Sequence, residues 1–404
     1  VIFVGVDWAE AHHDVCVLDE DGAVLGRRRV DAGVTGLAEL HRLVADHAEE
    51  PEEVAVGIET DRGLLVSALV GAGYALYAIN PLSVARYRDR HHVSGAKSDP
   101  SDAKLLADLV RTDRHNHRQV AGDSELAEVV KVLARVHQSA IWGRQRQANA
   151  LRSALREYYP AALEAFGTEL HSPDALAVLA MAPTPELGRQ LSRSKIAAAL
   201  RRGGRERNLE RRAQEIQAAL RSDQLGQSPV LTGAYGAVAT SAVRLLAAYN
   251  AEIAELEVSL SEHFEQHPDA KIICSLPGLG MVLGARVLGE FGDDHARYAD
   301  GKSRRNYAGT SPVTKASGKS RVVLARFARN RRLADALDQW AFCSLTRSAG
   351  ARRYYDELRA RDKTHRQALR QLANRWVGIL HGCLDHGCLY DEDVAWRTAQ
   401  RPAA

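Results

Sequence analysis

Four acidic residues, Asp7, Glu59, Asp99 and Asp102, are the side chains whose type and spacing point to chemistry. Asp7 closes the apolar run Val1-Ile2-Phe3-Val4-Gly5-Val6, and Glu59 closes a second, Val54-Ala55-Val56-Gly57-Ile58. Asp99 and Asp102 open a helical segment, Asp99-Pro100-Ser101-Asp102-Ala103-Lys104-Leu105-Leu106. Carboxylates are hard oxygen donors. Two at the ends of neighbouring strands, joined by a helix-borne pair at i and i+3, can share divalent cations, as phosphodiester-cutting enzymes require. The second pair also has a purely structural explanation. Asp99 suits the N-cap, Pro100 the first helical position and Asp102 the third. A cap and a ligand are compatible roles, so one of the two could stand behind the other. Asp7 alone could be a strand-end turn residue; the conjunction of all four favours a Mg²⁺ site, with Mn²⁺ as a substitute.

The elements that must carry these acids follow from local patterning. Val1–Asp7 reads as a buried strand, His13–Leu18 as a second and Ala23–Val30 as a third, with Asp19-Glu20-Asp21-Gly22 as a turn. A helix over Val34–His47 precedes the Glu59 strand. A helix over Gly63–Ala72 and a strand over Ala75–Ile79 follow, and Asn80-Pro81 stops that strand. Pro81–Arg90 then leads into the acid-bearing helix, which runs to about Arg111. Three antiparallel strands, a helix, a parallel strand, a helix and another strand is the order of an α/β RNase H-like fold, whose acids sit at adjacent strand ends.

The rest of the chain reads as mostly helical. Leu126, Val129, Val130, Leu133, Val136 and Ile141 recur at helical spacing, and so do Leu151, Ala154, Leu155 and Tyr158, up to Pro160. A second long stretch, Tyr249–Phe264, could pair with the first as an antiparallel coiled coil; a dimer through either is equally compatible with the pattern. Ser222–Gly233 reads as a turn region. From Asp269 the sequence Ile272-Ile273-Cys274-Ser275-Leu276-Pro277-Gly278-Leu279-Gly280 leads into a helix over Val282–Phe291. This is a helix-hairpin-helix pattern whose glycines would offer backbone N–H groups to a DNA phosphate; a plain helical hairpin accounts for it equally well.

With 404 residues the chain has room for two or three domains, and its 45% apolar and 26% charged content is that of an ordinary folded protein. No apolar run approaches the roughly 18 residues of a membrane span, and no basic-then-apolar leader opens the chain, so a cytoplasmic protein without membrane partners is expected. Five scattered cysteines argue against a disulfide framework. The His381, Cys383, His386, Cys388 cluster matches no common zinc spacing and reads as a helix end and turn. The net charge is +3, but no acid interrupts residues 301–334. That stretch carries Arg304, Arg305, Lys315, Lys319, Arg321, Arg326, Arg329, Arg331 and Arg332, the footprint of phosphate binding. A second arginine-rich run spans Arg189–Arg212.

Gly-Val-Asp7, Gly-Ile-Glu59-Thr, Ile79-Asn80-Pro81 and Lys97-Ser98-Asp99-Pro-Ser-Asp102-Ala-Lys-Leu-Leu-Ala resemble the motifs of the DEDD-type insertion-sequence transposases of the IS110 family. Leu276-Pro277-Gly278-Leu279-Gly280, Asn306-Tyr307-Ala308-Gly309-Thr310-Ser311-Pro312 and Ala316-Ser317-Gly318-Lys319 extend the resemblance to the second half. The resemblance implies a RuvC-like (RNase H-like) N-terminal domain with Mg²⁺-holding acids and a C-terminal serine that attacks DNA and forms a covalent phosphoserine. It further implies donor and target DNA as substrates, a structured non-coding bridge RNA as guide, and a composite site built from two subunits of a dimer or tetramer. Carried over by position, the nucleophile is Ser317, with Ser311 and Ser320 as neighbouring competitors. Lys315, Lys319 and Arg321 beside it would stabilise developing charge.

The expected organisation is therefore a RuvC-like domain over 1–115, a helical coiled-coil connector over 116–268, an α-helical C-terminal domain over 269–360 and a helical tail over 361–404. Two other functions fit the same residues. One is a structure-specific RuvC-like endonuclease that uses water as nucleophile. The other is a non-catalytic nucleic-acid-binding protein on a dead nuclease fold.

Overall fold

The computed structural model describes residues 1–91, 99–120, 122–317, 320–326 and 329–397. The chain forms two compact units, Val1–Asp123 and Ser124–Ala404.

The first unit is built on a mixed sheet. In chain order its elements are β1 (Ile2–Trp8), β2 (His12–Leu18), β3 (Val24–Asp31), α1 (Val34–Ala45), β4 (Val54–Ile58), α2 (Leu64–Gly71), β5 (Ala75–Ala78), α3 (Pro81–His91), α4 (Asp99–Asp113) and the two-residue β6 (Arg118–Gln119). The strand order is β3-β2-β1-β4-β5-β6. β1, β2 and β3 form the expected antiparallel meander, while β4 lies parallel to β1 and β5 parallel to β4. The layout is consistent with an RNase H-like DEDD transposase domain. Strand alternation sends Val4, Val6, Val15, Val17, Val56 and Ile58 to one face, where α1 and α2 cover them. Phe3, Cys16, Leu18 and Ala55 face the other side and pack under α4. Pro81–His91 is a helix of its own rather than a lead-in to α4.

Two glycines make the second face work. A Cβ on Gly5 would stand 1.8 Å from the Ala103 carbonyl oxygen, and one on Gly57 2.7 Å from that of Leu106. α4 therefore lies directly on the backbone of β1 and β4, which no larger residue would permit. Arg114, just beyond the C-terminus of α4, stacks over the Phe3 ring at 5.3 Å. α4 thus runs antiparallel to β1, and its first turn points to the strand end that carries Asp7.

The second unit is helical around a long antiparallel pair. Its elements are α5 (Glu125–Tyr158), α6 (Pro160–Phe166), α7 (Pro173–Met181), α8 (Pro185–Gln190), α9 (Arg193–Arg202), α10 (Leu209–Arg221), α11 (Pro229–Glu265), α12 (Ala270–Ser275), α13 (Met281–Phe291), α14 (Gly301–Ala308), β7 (Val313–Ser317), β8 (Ser320–Leu324), α15 (Arg331–Ser344), α16 (Ala349–Ala360), α17 (His365–Asp385) and α18 (Glu392–Ala395). α5 and α11 are antiparallel: His137 meets Glu257, Arg144 meets Asn250, and Tyr158 stacks on Tyr235. α11 starts at Pro229, well before the Tyr249 that the spacing suggests, and takes in the end of the expected turn region. By length and composition α11 would suffice to cross a membrane, contrary to the expectation that no such segment exists. Here its small residues Gly236, Ala239 and Ala242 are buried, the alanines in a core shared with α5–α10.

Each end of the pair enters a different core. The C-terminal half of α5 packs with α6–α10 and the early part of α11. Its N-terminal half joins α12–α17 around the stacked Trp340 and Trp376. Leu372, Trp376 and Leu380 make α17 a central element of that core, so residues beyond 361 are integral to it.

Candidate active site

Asp7 and Glu59 stand side by side. The parallel register pairs Val6 with Ile58, and the acids come next, Asp7 on β1 and Glu59 as the first residue after β4. Alternation places Asp7 on the side of Phe3 and Gly5, the face that α4 covers. Asp102 lies one residue before Ala103, the α4 residue pressed onto Gly5, and is 6% exposed. Both strand ends and the first turn of α4 thus bring three acids to one face and one end of the sheet. The described part of α4 starts at Asp99; the residues before it, and the side chain of Asp99, lie outside the described residues.

Two arginines temper this acidic end. Arg88 on α3 donates from Nη2 to Asp102 Oδ1 at 2.6 Å. Asp14 is the cross-strand neighbour of Asp7 and projects to the same face. Arg29 donates to it from Nε and Nη2, the latter at 2.8 Å. Like charges facing each other across a ladder are destabilising, and each guanidinium offsets part of that repulsion. Neither Arg29, Arg88 nor Asp14 carries a spacing signal in the sequence; only the sheet register and the return of α3 over α4 reveal them.

The donor set suits a divalent ion in kind. Its three carboxylates, from three elements at one end of the sheet, are hard oxygen donors of the kind that Mg²⁺ or Mn²⁺ takes. Among the described residues, however, no three of them close on a common point, and Asp102 is turned to Arg88.

In the second unit Ser317 ends β7, exposed, and pairs with Ser320 of β8. The serine therefore sits on a β-ladder, where the sequence suggested an all-helical domain. Lys319 and the side chain of Lys315 lie outside the described residues. Ser311 is half-buried after α14. The backbone entering and leaving this ladder is tightly held. Gly309 adopts φ +69°, and a Cβ there would come within 2.4 Å of Arg329 Cβ. Asn330 caps α15 through Arg332 N and Leu333 N and donates to Glu290 Oε2 at 2.6 Å. Glu290 in turn accepts two bonds from Arg135 on α5.

The arginines separate into two groups. Arg304 is 2% exposed and lies over the Tyr298 ring at 4.7 Å and the Phe291 ring at 5.4 Å, so it serves the core and not the surface the sequence assigned it. Arg332 ties α15 to α5 through the Arg135 carbonyl and Ser139, and stacks on Trp142. Arg305 donates to the Gly301 carbonyl. Arg321 is exposed and Arg326 half-buried. Arg329 and Arg331 line a cleft of about 390 Å³ with Thr310, with Arg366 and Arg370 of α17, and with Asp335 and Asp338 of α15. Burial and then the nearby Arg370 hold the Arg329 pKa below the usual arginine value, against the opposing pull of Asp338. Arg366 and Arg370 sit one helical turn apart, a signal that is visible in the sequence but gives no hint of the cleft.

The glycine turn before α13 has a packing role. Gly278 has φ +90°, and a Cβ on it would lie 2.7 Å from Ser344 N. The Pro277 carbonyl accepts from Trp340 Nε1 at 3.0 Å. Gly280, at the start of α13, faces open space.

Acids at adjacent parallel strand ends beneath a helix thus stand in the first unit, and an exposed serine and an arginine-lined cleft in the second. A DEDD-type IS110 transposase family model matches residues 4–160, and the transposase IS116/IS110/IS902 family model matches residues 270–356. The chain is 43% identical over 407 residues to the "Mini-circle putative transposase for IS117" of Streptomyces coelicolor, covering 100% of this chain and 98% of that one. It is 30% identical over 403 residues to the "Insertion element IS900 uncharacterized 42 kDa protein" of Mycobacterium paratuberculosis, with 96% and 97% covered. The chain belongs to the IS110 family of insertion-element transposases, enzymes that cut and rejoin DNA.

Proposed function

We propose that this transposase moves its element through a two-part site, with acids on the first unit and a serine nucleophile on the second. Asp7, Glu59, Asp99 and Asp102 would hold Mg²⁺, or Mn²⁺ in its place. The bound ion would polarise the scissile phosphate and offset its charge. The observation that carries this reading is the register of β1 and β4, which sets Asp7 beside Glu59 under the first turn of α4.

Ser317 Oγ attacks the phosphorus of the DNA strand. The Oγ–P bond forms as a P–O bond of the backbone breaks, leaving a free DNA hydroxyl and a phosphoserine. A DNA hydroxyl then attacks that phosphoserine, the new phosphodiester forms, and the serine recovers its proton. One ester is exchanged for another, so no nucleotide hydrolysis is needed. A serine hydroxyl is a weak nucleophile without activation, and the neighbouring cations Lys315, Lys319 and Arg321 would stabilise the charge that develops. The exposure of Ser317 at the end of β7 supports its access to DNA. Arg326, Arg329, Arg331 and the added Arg366 and Arg370 would hold backbone phosphates without reading sequence.

In this reading residues 1–115 are the RuvC-like metal domain, 116–268 the coiled-coil connector, 269–360 the serine-bearing domain and 361–404 a helical tail that lends Leu372, Trp376 and Leu380 to its core. The site is composite between subunits of a dimer or tetramer in the cytoplasm. A structured bridge RNA from the element's non-coding end selects donor and target DNA by base pairing, which would relieve the protein of direct sequence readout.

The test is adduct trapping on a denaturing gel, with purified protein, Mg²⁺, the flanking RNA of the element, and labelled donor and target DNA. A covalent protein–DNA band that requires RNA, and is lost in Ser317→Ala and Asp102→Ala, is the expected result. Cleavage without an adduct, unchanged by Ser317→Ala, would instead establish a water-using endonuclease. Full nucleic-acid binding with neither cleavage nor adduct would establish a non-catalytic binder.

A further inference from the structure

On the sheet face opposite α4, a cavity of about 800 Å³ opens at the same strand end as the acids. Its walls come from the first turns of α1 and α2, the ends of β1, β2 and β3, and Glu10, the one carboxylate in the lining. Four features of it have no role in the function described so far. α1 and α2 both begin at a glycine, Gly33 and Gly63, neither of which has a side chain to cap the helix. Their N-terminal turns stand on the same cavity, doubling the attraction for an anion that one helix end provides. Trp8 and His13, both in its lining, are cross-strand partners. His13 is 8% exposed, yet its Nδ1 has no hydrogen-bond partner, an arrangement that costs stability unless something else satisfies it. Large apolar groups also stand open at the mouth: Leu64 is 91% exposed, Val34 86% and Trp8 49%.

We propose that this cavity holds one unpaired nucleotide of the DNA strand presented to the acids. The base enters between Trp8 and the Leu64 and Val34 side chains, with an edge atom bonded to His13 Nδ1. A flanking phosphate rests on the glycine-started turns of α1 and α2, near Arg62. Aromatic stacking accepts any base, while the helix ends and the arginine require an anion, a combination that single-stranded nucleic acid supplies. Volumes of several hundred Å³ are those of small-ligand sites. The cavity is also placed to work with the acids. Trp8 follows Asp7 on β1, so alternation sends the two to opposite faces, and Thr60 of the cavity wall follows Glu59 just beyond the end of β4. A nucleic-acid strand crossing this end of the sheet would meet the acids and the cavity at consecutive residues, Asp7–Trp8 and Glu59–Thr60.

The proposal rests on the family's action on DNA and not on the metal or on Ser317, so its test is run in EDTA. Full-length protein is irradiated with a short single-stranded DNA carrying one 5-iodo-deoxyuridine, and the cross-linked peptide is mapped by mass spectrometry. The expected product joins the iodinated base to the segment containing Trp8. Leu64→Glu, at an exposed position, should lower both the yield and the affinity for that DNA about tenfold with unchanged thermal unfolding. Trp8→Phe should retain binding that Trp8→Ala loses. Cross-links confined to the second unit overturn the proposal. So does labelling of Trp8 by the iodouridine RNA of the same sequence and not by DNA. A Leu64→Glu protein that keeps its DNA cross-link but sediments at half the wild-type mass overturns it as well, and identifies the cavity mouth as a contact between copies of the chain.

Discussion

Single residues decide how charge is tolerated in this protein. Asp102 lies at the functional end of the sheet but is paired to Arg88, so a cation occupies its carboxylate in this conformation. Arg88→Gln removes that competitor. Mn²⁺ binding followed by titration calorimetry should tighten about tenfold, or about 1.4 kcal/mol, while the metal-free protein loses thermal stability because a largely buried carboxylate has lost its partner. Unchanged or weaker Mn²⁺ binding would remove Arg88 from the site. His137 shows a different solution. It is fully buried between α5 and α11. Arg286 can only donate, so Nδ1 must accept its bond at 3.3 Å, and Nε2–H is left to donate to Glu257 at 3.1 Å. Burial, chiefly, holds the pKa below the usual 6.5, so the imidazole is neutral in the fold. The unfolded chain takes up a proton there below about pH 6.5 and the folded protein resists it. This contribution to stability is therefore complete above about pH 6.5 and declines as pH falls below it, by up to about 1.4 kcal/mol per pH unit. In denaturant titrations His137→Gln should flatten the stability profile as pH falls below about 6.5; an identical slope in wild type and variant would contradict the assignment.

At the scale of elements, the closeness of α4 to β1 and β4 is the decisive contact. It depends on Gly5 and Gly57, whose backbones touch the helix. Gly5→Ala must push α4 outward. Overpacking of this kind costs about 1–3 kcal/mol, and at Gly5 the obstacle is a backbone carbonyl that cannot rotate away. The expected outcome is a fall in the thermal midpoint together with reduced Mn²⁺ affinity, because Asp102 moves with the helix. Retained affinity at reduced stability would show that the acids do not depend on this packing. These glycines also illustrate what a sequence conceals. Gly5 and Gly57 look like weak points in β-runs, and their purpose emerges only when the helix above them is seen. Asp99-Pro100-Ser101-Asp102, by contrast, announces a helix start by its residue types.

At the scale of the whole molecule, the second unit gathers cations from segments far apart in the chain. Arg329 and Arg331 precede or open α15, while Arg366 and Arg370 lie on α17. If the cleft holds two backbone phosphates through the α17 pair, Arg366→Ala with Arg370→Ala should weaken DNA binding at all sequences alike. It should also reduce the slope of log affinity against log salt by about two, near 0.9 for each phosphate no longer neutralised. A weakening confined to particular sequences, or an unchanged slope, would argue against phosphate binding here. Arg304 serves as the internal comparison: buried over Tyr298, its replacement should lower stability before it alters the salt slope.

The sequence by itself determined the strands that end in Asp7 and Glu59, the helix that opens near Asp99, the long α5 and the family. Each is a local matter: apolar runs, period, caps and contiguous motifs are set by neighbours along the chain. Only the tertiary structure decided which residues share a site. Sheet register brought Asp14 and Arg29 beside Asp7, α3 returned Arg88 to Asp102, and α17 brought Arg366 and Arg370 to Arg329. It also placed Ser317 on a β-ladder and turned Arg304 inward, two assignments that charge density and helical context misjudged. Such pairings join residues far apart in the chain, and nothing in the local pattern encodes them. They follow from how the elements pack: glycines admit a backbone, aromatic rings receive a guanidinium, and a buried charge must find its counter-ion.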